Sequence, residues 1–215
     1  MKKHIFILFF SISLGLNAQQ TCIQFQQKEA MSAKYDSCIR EHRNNYKLDF
    51  IKEERSPITK ADTGFLRFFE PDSDWWLEAD YEILEQADFI DFATSSGKIK
   101  KYRPYAILHF KKGSQQFNLT AYQSEQLINN PAYADYLFLP FTDLSNGDET
   151  YGGGRYIDLR IGDLVEGKAR VDFNKAYNPY CAYSGGYSCP VPPMDNRLKI
   201  IISAGEKNFA GKKHD

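Results

Sequence analysis

Between residues 35 and 53 the apolar positions recur with a helical period. Tyr35, Ile39, His42, Tyr46 and Phe50 fall on one stripe, with Arg40, Glu41, Asn44 and Lys47 on other faces. Pro57 disfavours helical geometry at Ser56, so the predicted helix stops near Glu53. His42 on this stripe reads as a satisfied interfacial histidine rather than a ligand. Beyond Pro57 the period falls to two. Trp75, Leu77, Ala79, Tyr81 and Ile83 alternate with Trp76, Glu78, Asp80 and Glu82, which predicts a strand buried on one face.

The same alternation, punctuated by turn residues, continues to the end of the chain. Residues 65–69 precede the tryptophan strand across a turn at 70–74. Segments 88–94 and 98–102 flank Ser95-Ser96-Gly97, and segments 105–110 and 116–122 flank Lys111-Lys112-Gly113-Ser114, two hairpin signals. Residues 124–134 are ambiguous and admit a short helix closing near Pro131. Further strands are expected at 136–141, 155–161, 169–173 and 198–203. Short strands at close spacing predict a mainly β fold, an antiparallel sandwich or barrel-like sheet with the N-terminal helix packed against it. No internal repeat or dividing linker is visible, so residues 19–208 read as one domain, with a helix at about 35–53 and a β core at about 63–208. Residues 209–215 read as a flexible tail.

The first 18 residues belong to a different category. Lys2, Lys3 and His4 form a basic start, residues 5–16 an apolar run, and Ala18 a small residue before Gln19. That is the pattern of a cleaved signal peptide, and the apolar run is short of the ~20 residues that span a bilayer. Export to the periplasm or the medium is the expectation, with no stable membrane anchor after cleavage. Of the 27 basic residues two lie in this leader, against 28 acidic residues, so the mature charge is near −3. Such a chain has no basic field for nucleic acid or anionic lipid. Cys22, Cys38, Cys181 and Cys189 all survive cleavage, and an even number in an exported protein reads as disulfides. Cys181 and Cys189 close a short loop and are the favoured pair. Cys22 and Cys38 are left paired or free; a continuous helix would hold them roughly 24 Å apart.

The unusual chemistry is concentrated in residues 143–207. Gly152-Gly153-Gly154-Arg155 has the logic of an anion clamp, with successive backbone N–H groups beside a guanidinium. The alternative is a glycine turn entering a strand, with Arg155 paired to Asp143, Glu149 or Asp172. No Gly-Lys-Ser/Thr follows, so it is not a nucleotide loop. Seven residues between Cys181 and Cys189 is not zinc spacing, and no metal or cofactor is expected. A cysteine nucleophile would need a base such as His109 beside it, whereas His109 alternates within a strand as a half-buried residue. Tyr177, Tyr180, Tyr183 and Tyr187 around Asn174 and Asn178 either stack on a ring-shaped ligand or pack the loop onto the sheet. Asp172 and Asn196 read as hydrogen-bonding partners of irregular backbone.

Several of these pieces occur together in one known pattern. Asn146-Gly147 with Glu149-Thr150-Tyr151, Gly154-Arg155-Tyr156, Asp172-Phe173-Asn174 with Ala176-Tyr177-Asn178-Pro179, Cys189-Pro190 with Pro192-Pro193, Asn196-Arg197-Leu198 and Ala204-Gly205-Glu206-Lys207 resemble domain-of-unknown-function family 1684 of bacteria and archaea. The likeness runs from the helix at Tyr35 to Lys207. It departs at Arg40-Glu41-His42-Arg43, where that family usually shows a tryptophan-containing helix, and in residues 53–63. The family brings no established activity, so the resemblance implies a site location and no reaction.

Two functions follow as expectations. In the first, Gly153, Gly154, Arg155, Tyr156, Asp172, Asn174, Tyr177, Asn178 and Asn196 bind a small polar or anionic ligand. If that is catalytic, Asp172 or Glu206 would act as a hydrolytic base and Arg155 as the anion partner. In the second, the same stretch is a rigid plug of a non-catalytic interaction protein. A glycan platform using an outward tryptophan beside Tyr183 or Tyr187 is a further variant.

Overall fold

The computed structural model describes residues 13–214, with side chains from Met31 onward. The expected leader, residues 1–18, lies mostly outside the described residues. Helix α1 spans Ser13–Lys52. Its end matches the expectation from Pro57, but its start lies some 20 residues ahead of Tyr35. The physical reason is composition: the stretch rich in Ala, Gln, Lys, Glu and Met before Tyr35 contains no proline to stop a helix. No described helix is long and apolar enough to cross a membrane.

Seven antiparallel strands follow. They are β1 (Trp76–Ile83), β2 (Ile90–Ala93), β3 (Ile99–Lys112), β4 (Gln115–Ser124), β5 (Tyr136–Phe141), β6 (Arg155–Arg160) and β7 (Lys168–Asp172). The sheet runs β6-β5-β4-β3-β1-β7 with β2 also on β3, and it curls into a half-barrel. Both hairpin signals hold: Gly97 and Gly113 take positive φ (77° and 60°) at the β2–β3 and β3–β4 turns. Residues 124–134 form successive turns rather than a helix.

The two faces of the sheet carry separate apolar clusters. One contains Ala79, Leu108, Leu119, Leu137, Leu139, Ile157 and Val171 and is covered by Phe173, Leu198 and Ile202. The other gathers Phe92, Tyr102, Tyr122, Phe138 and Tyr156. A bulge between Pro104 and Ala106 makes this possible, since Pro104 pairs with Tyr122 and Ala106 with Ala121. The extra residue, Tyr105, flips the alternation, so Tyr102 and Leu108 face opposite ways on one strand. A third cluster of Phe50, Ile58, Leu66 and Tyr183 seats α1.

Two expectations fail near the C-terminus. Residues 198–203 form no strand, and Lys199 and Ile200 are a bend. Their neighbour is the irregular segment at 142–144, where Leu198 N donates to Thr142 O and Leu144 N to Ile200 O. The tail is tied down rather than frayed. Phe209 packs edge-on against Tyr183 at 5.3 Å, and His214 N donates to Tyr183 O at 2.9 Å while its own carbonyl accepts from Gly185 N at 2.8 Å.

Candidate functional site

The stretch from Asp143 to Lys207 is a set of buried polar hubs, each holding irregular backbone. Arg155 opens β6 on the core face, with no exposed surface. Its Nη2 donates to Asp143 Oδ2 at 2.8 Å and Ile202 O at 3.2 Å; Nη1 donates to Ala204 O at 2.5 Å and Glu206 O at 3.2 Å. The chain turns at Gly205, whose φ is 77°, and one guanidinium takes the Ile202, Ala204 and Glu206 carbonyls of this irregular stretch. Asp143 is satisfied on its other oxygen by Ser145 N and Oγ, at 2.8 and 2.5 Å. Burial lowers the Arg155 pKa, and the adjacent Asp143 carboxylate offsets only part of that.

Gly154 serves close approach of backbone. Gly154 has φ 87°, and a Cβ there would lie 2.6 Å from Phe141 O and 2.8 Å from Pro192 Cγ. Its N–H donates to Tyr151 O at 3.1 Å, so it is not offered to a ligand. Gly153 is exposed, in the turn before it.

Glu206 forms a second hub. Its carboxyl accepts from Tyr183 Oη at 2.7 and 2.8 Å, from Tyr46 Oη of α1 at 3.2 Å and from Asn178 N at 2.9 Å. Burial pushes its pKa up to about 7, against those hydrogen bonds and the Arg155 charge. Asn178 Nδ2 donates to Lys207 O at 2.9 Å. A third hub joins α1 to the sheet. Tyr35 Oη donates to Asp172 Oδ1 at 2.8 Å, and Asn174 brackets Asp72 by accepting from its N–H and donating to its carbonyl. Burial and the Asp172 carboxylate push the Tyr35 hydroxyl up. Asn196 stands apart, in the gap between β4 and β5. There it accepts from Thr120 N and donates to Thr120 O and Pro140 O, where only Tyr122 and Phe138 pair in the ladder.

The structure therefore brings Arg155 to Glu206 and Glu206 to Asn178, and Asp172 to Asn174, but it forms no common open site from them. Arg155, Asn178, Asn196 and Glu206 are fully buried and Asp172 is 7% exposed. Cys181 and Cys189 are bonded, and His109 sits elsewhere, against Asn118. Trp76 does not join Tyr183 or Tyr187. Its ring is stacked on Tyr35 at 5.5 Å with the Arg170 guanidinium at 4.9 Å, so the glycan platform is not formed.

Of the open clefts among the described residues, two adjoin the hubs and the disulfide loop. One of about 450 Å³ lies between α1 and the sheet, lined by Lys34, Cys38, His42, Trp76, Asp172 and Lys175. His42 lines this cleft with part of its ring open to solvent instead of being a satisfied interfacial residue; partial desolvation by the cleft walls, then the Lys175 charge, lower its pKa. Arg43 takes the interfacial position, donating to Phe69 O at 2.7 Å with its guanidinium over the Phe68 ring. The other cleft, of about 320 Å³, opens on the aromatic face beside Tyr156, Tyr177 and the disulfide loop. Next to it Asp158 accepts from Tyr136 Oη and Tyr177 Oη, each at 2.7 Å, and burial raises the carboxyl pKa against these bonds. Sequence reasoning passed over Asp158, although alternation along β6 places it on the face of Tyr156.

The chain matches known proteins over most of this architecture. A solution NMR structure of an uncharacterized protein from Haloarcula marismortui is 32% identical. It covers 88% of this chain and 96% of its own, with a TM-score of 0.55. No curated protein matches the chain. A family model described as protein of unknown function (DUF1684) matches residues 64–207, which contain every hub residue except those contributed by α1. The chain belongs to the DUF1684 family.

Proposed function

We propose that the protein is an exported, non-catalytic binding domain, and that residues 143–207 close its half-barrel instead of forming a hydrolytic site. The observation that carries this reading is the Arg155–Asp143 pair, 2.8 Å apart with both side chains sealed from solvent. A base and an anion partner must touch substrate. Asp172, Glu206 and Arg155 have no cleft in common: Arg155 and Glu206 are buried and hold backbone, while Asp172 alone lines an open cleft. Export is supported by the leader pattern and by the Cys181–Cys189 bond, which suits an oxidising compartment. Binding is supported by open clefts beside the hubs and the disulfide loop, whose volumes suit small ligands.

Thermal melting of Arg155→Ala tests the closure. Breaking a buried pair costs about 3–5 kcal/mol, which lowers Tm by roughly 10 °C in a chain of this size. An unchanged Tm would return Arg155 to the role of ligand anchor. N-terminal sequencing of secreted protein tests export, with Gln19 expected first.

A further inference from the structure

The aromatic face of the sheet holds a groove that the closure does not use. Its floor is Tyr102 of β3, Phe138 of β5 and Tyr156 of β6, and the disulfide loop supplies a wall with Tyr180 and Tyr187. The hydroxyls of Tyr156, Tyr180 and Tyr187 are turned toward protein. Tyr156 donates to Pro190 O at 2.5 Å, Tyr187 to Arg55 O at 2.8 Å and Tyr180 to the Glu53 carboxylate. What faces the groove is accordingly ring surface, suited to stacking or edge contact with another ring.

One charged group lines it. Lys100 lies two residues from Tyr102, before the bulge, and so shares its face. Lys100 makes no salt bridge among the described residues, and burial alone lowers its pKa, with no acidic neighbour holding it up. The acids bonded to the groove's tyrosines are engaged, Glu53 by Tyr180 and Asp158 by Tyr136 and Tyr177, while Asp91 of β2 pairs with Lys101, on the opposite face from Lys100. Asp158 is also three strands away across the sheet, roughly 14 Å at the usual spacing. A partly desolvated ammonium without a counter-charge, beside ring walls, complements an anion carried on a ring.

We propose that this groove binds a small aromatic carboxylate, with the ring against the tyrosines and the carboxylate on the Lys100 ammonium. The site owes nothing to Arg155 or Glu206, so it stands or falls separately from the closure reading.

Calorimetric titration with 2-naphthoate, 2-naphthylmethanol and 2-naphthylmethylammonium tests it on the disulfide-intact protein. Saturable binding of 2-naphthoate is expected, at least tenfold tighter than either analogue. Lys100→Met should weaken 2-naphthoate at least tenfold and leave the neutral alcohol within twofold. Tyr187→Ala should weaken both. Lys199→Met, on an exposed residue outside the groove, should change neither. No saturable binding of 2-naphthoate at millimolar concentration would overturn the proposal. So would equal affinity in Lys100→Met, or preference for the ammonium analogue, which would assign the groove to a cation.

Discussion

Arg155 Nη2 meets Asp143 Oδ2 at 2.8 Å with neither side chain exposed, and the same guanidinium spans three carbonyls of residues 202–206. The ion pair and the carbonyl bridging are one device. Asp143→Ala leaves a buried cation uncompensated and is expected to cost about 3–5 kcal/mol in urea unfolding. Arg155→Lys should cost nearly as much, because a single ammonium cannot reach acceptors spread along an irregular chain. A loss below about 1 kcal/mol in Arg155→Lys would show that the pair matters and the carbonyl bridging does not.

Glu206 makes the seat of α1 sensitive to pH. Burial holds its carboxyl at a pKa of about 7 in the fold, above its ordinary 4.5, so the native state holds the proton more tightly than the unfolded one. Its contribution is complete below about 4.5 and is lost as pH rises through about 7, an effect on the order of 3 kcal/mol. His42, whose pKa is lowered, acts in the opposite sense below its usual value. The comparison is therefore best made in a His42→Ala background. There Glu206→Gln should abolish the fall in stability between pH 5 and 7. An unaltered slope would place the titration elsewhere.

How far the sequence discloses this architecture depends on whether the deciding contact is local. Strands β4 to β7 are legible because alternation is a property of neighbours, and β5 begins and ends at the expected residues. The continuity of β3 is not legible, since the bulge at Pro104 breaks the period without a glycine to announce it. Arg155 has three acidic candidates in the sequence, and only the fold selects Asp143. Residues 198–203 carry the apolar pattern of a strand, yet Ile200 O is taken by Leu144 N of an irregular segment and Ile202 O by Arg155, 47 positions earlier. The polar residues that read as a ligand site are hubs because irregular buried backbone needs donors and acceptors, and spacing does not distinguish the two uses. Lys100 and Asp158 escape notice for the converse reason, as ordinary charges on ordinary strands.

The glycines separate two costs. Gly154 and Gly205 have φ of 87° and 77°, and a Cβ at either meets a carbonyl oxygen at 2.6 Å. Gly97 has φ 77° with nothing within 4 Å. Gly97→Ala should therefore cost only the left-handed conformation, about 1 kcal/mol. Gly154→Ala and Gly205→Ala add displacement of packed backbone and should exceed about 3 kcal/mol. Equal costs at all three positions, measured by chemical denaturation, would mean that the backbone yields freely at the closure.

The cysteines test compartment and groove together. Cys181 and Cys189 are bonded with their Cα atoms 6.3 Å apart, and Cys38 is free and exposed. Cys22 and Cys38 lie on one continuous helix, roughly 24 Å apart, which leaves them no bond to each other within a chain. Alkylation of the native protein followed by peptide mapping should label Cys38 and spare Cys181 and Cys189 until a reductant is added. The closed loop is short, so crosslinking contributes about 2–3 kcal/mol by the loop-entropy estimate. Cys181→Ser with Cys189→Ser should lose that much stability and still fold, because Tyr183 and Glu206 hold the loop from its other side. Tyr187 would then be tethered only through its neighbours and Arg55, so binding of an aromatic carboxylate should weaken more than the melting temperature suggests. Native labelling of both Cys181 and Cys189 would remove the bond, and with it the oxidising compartment and the fixed wall of the groove.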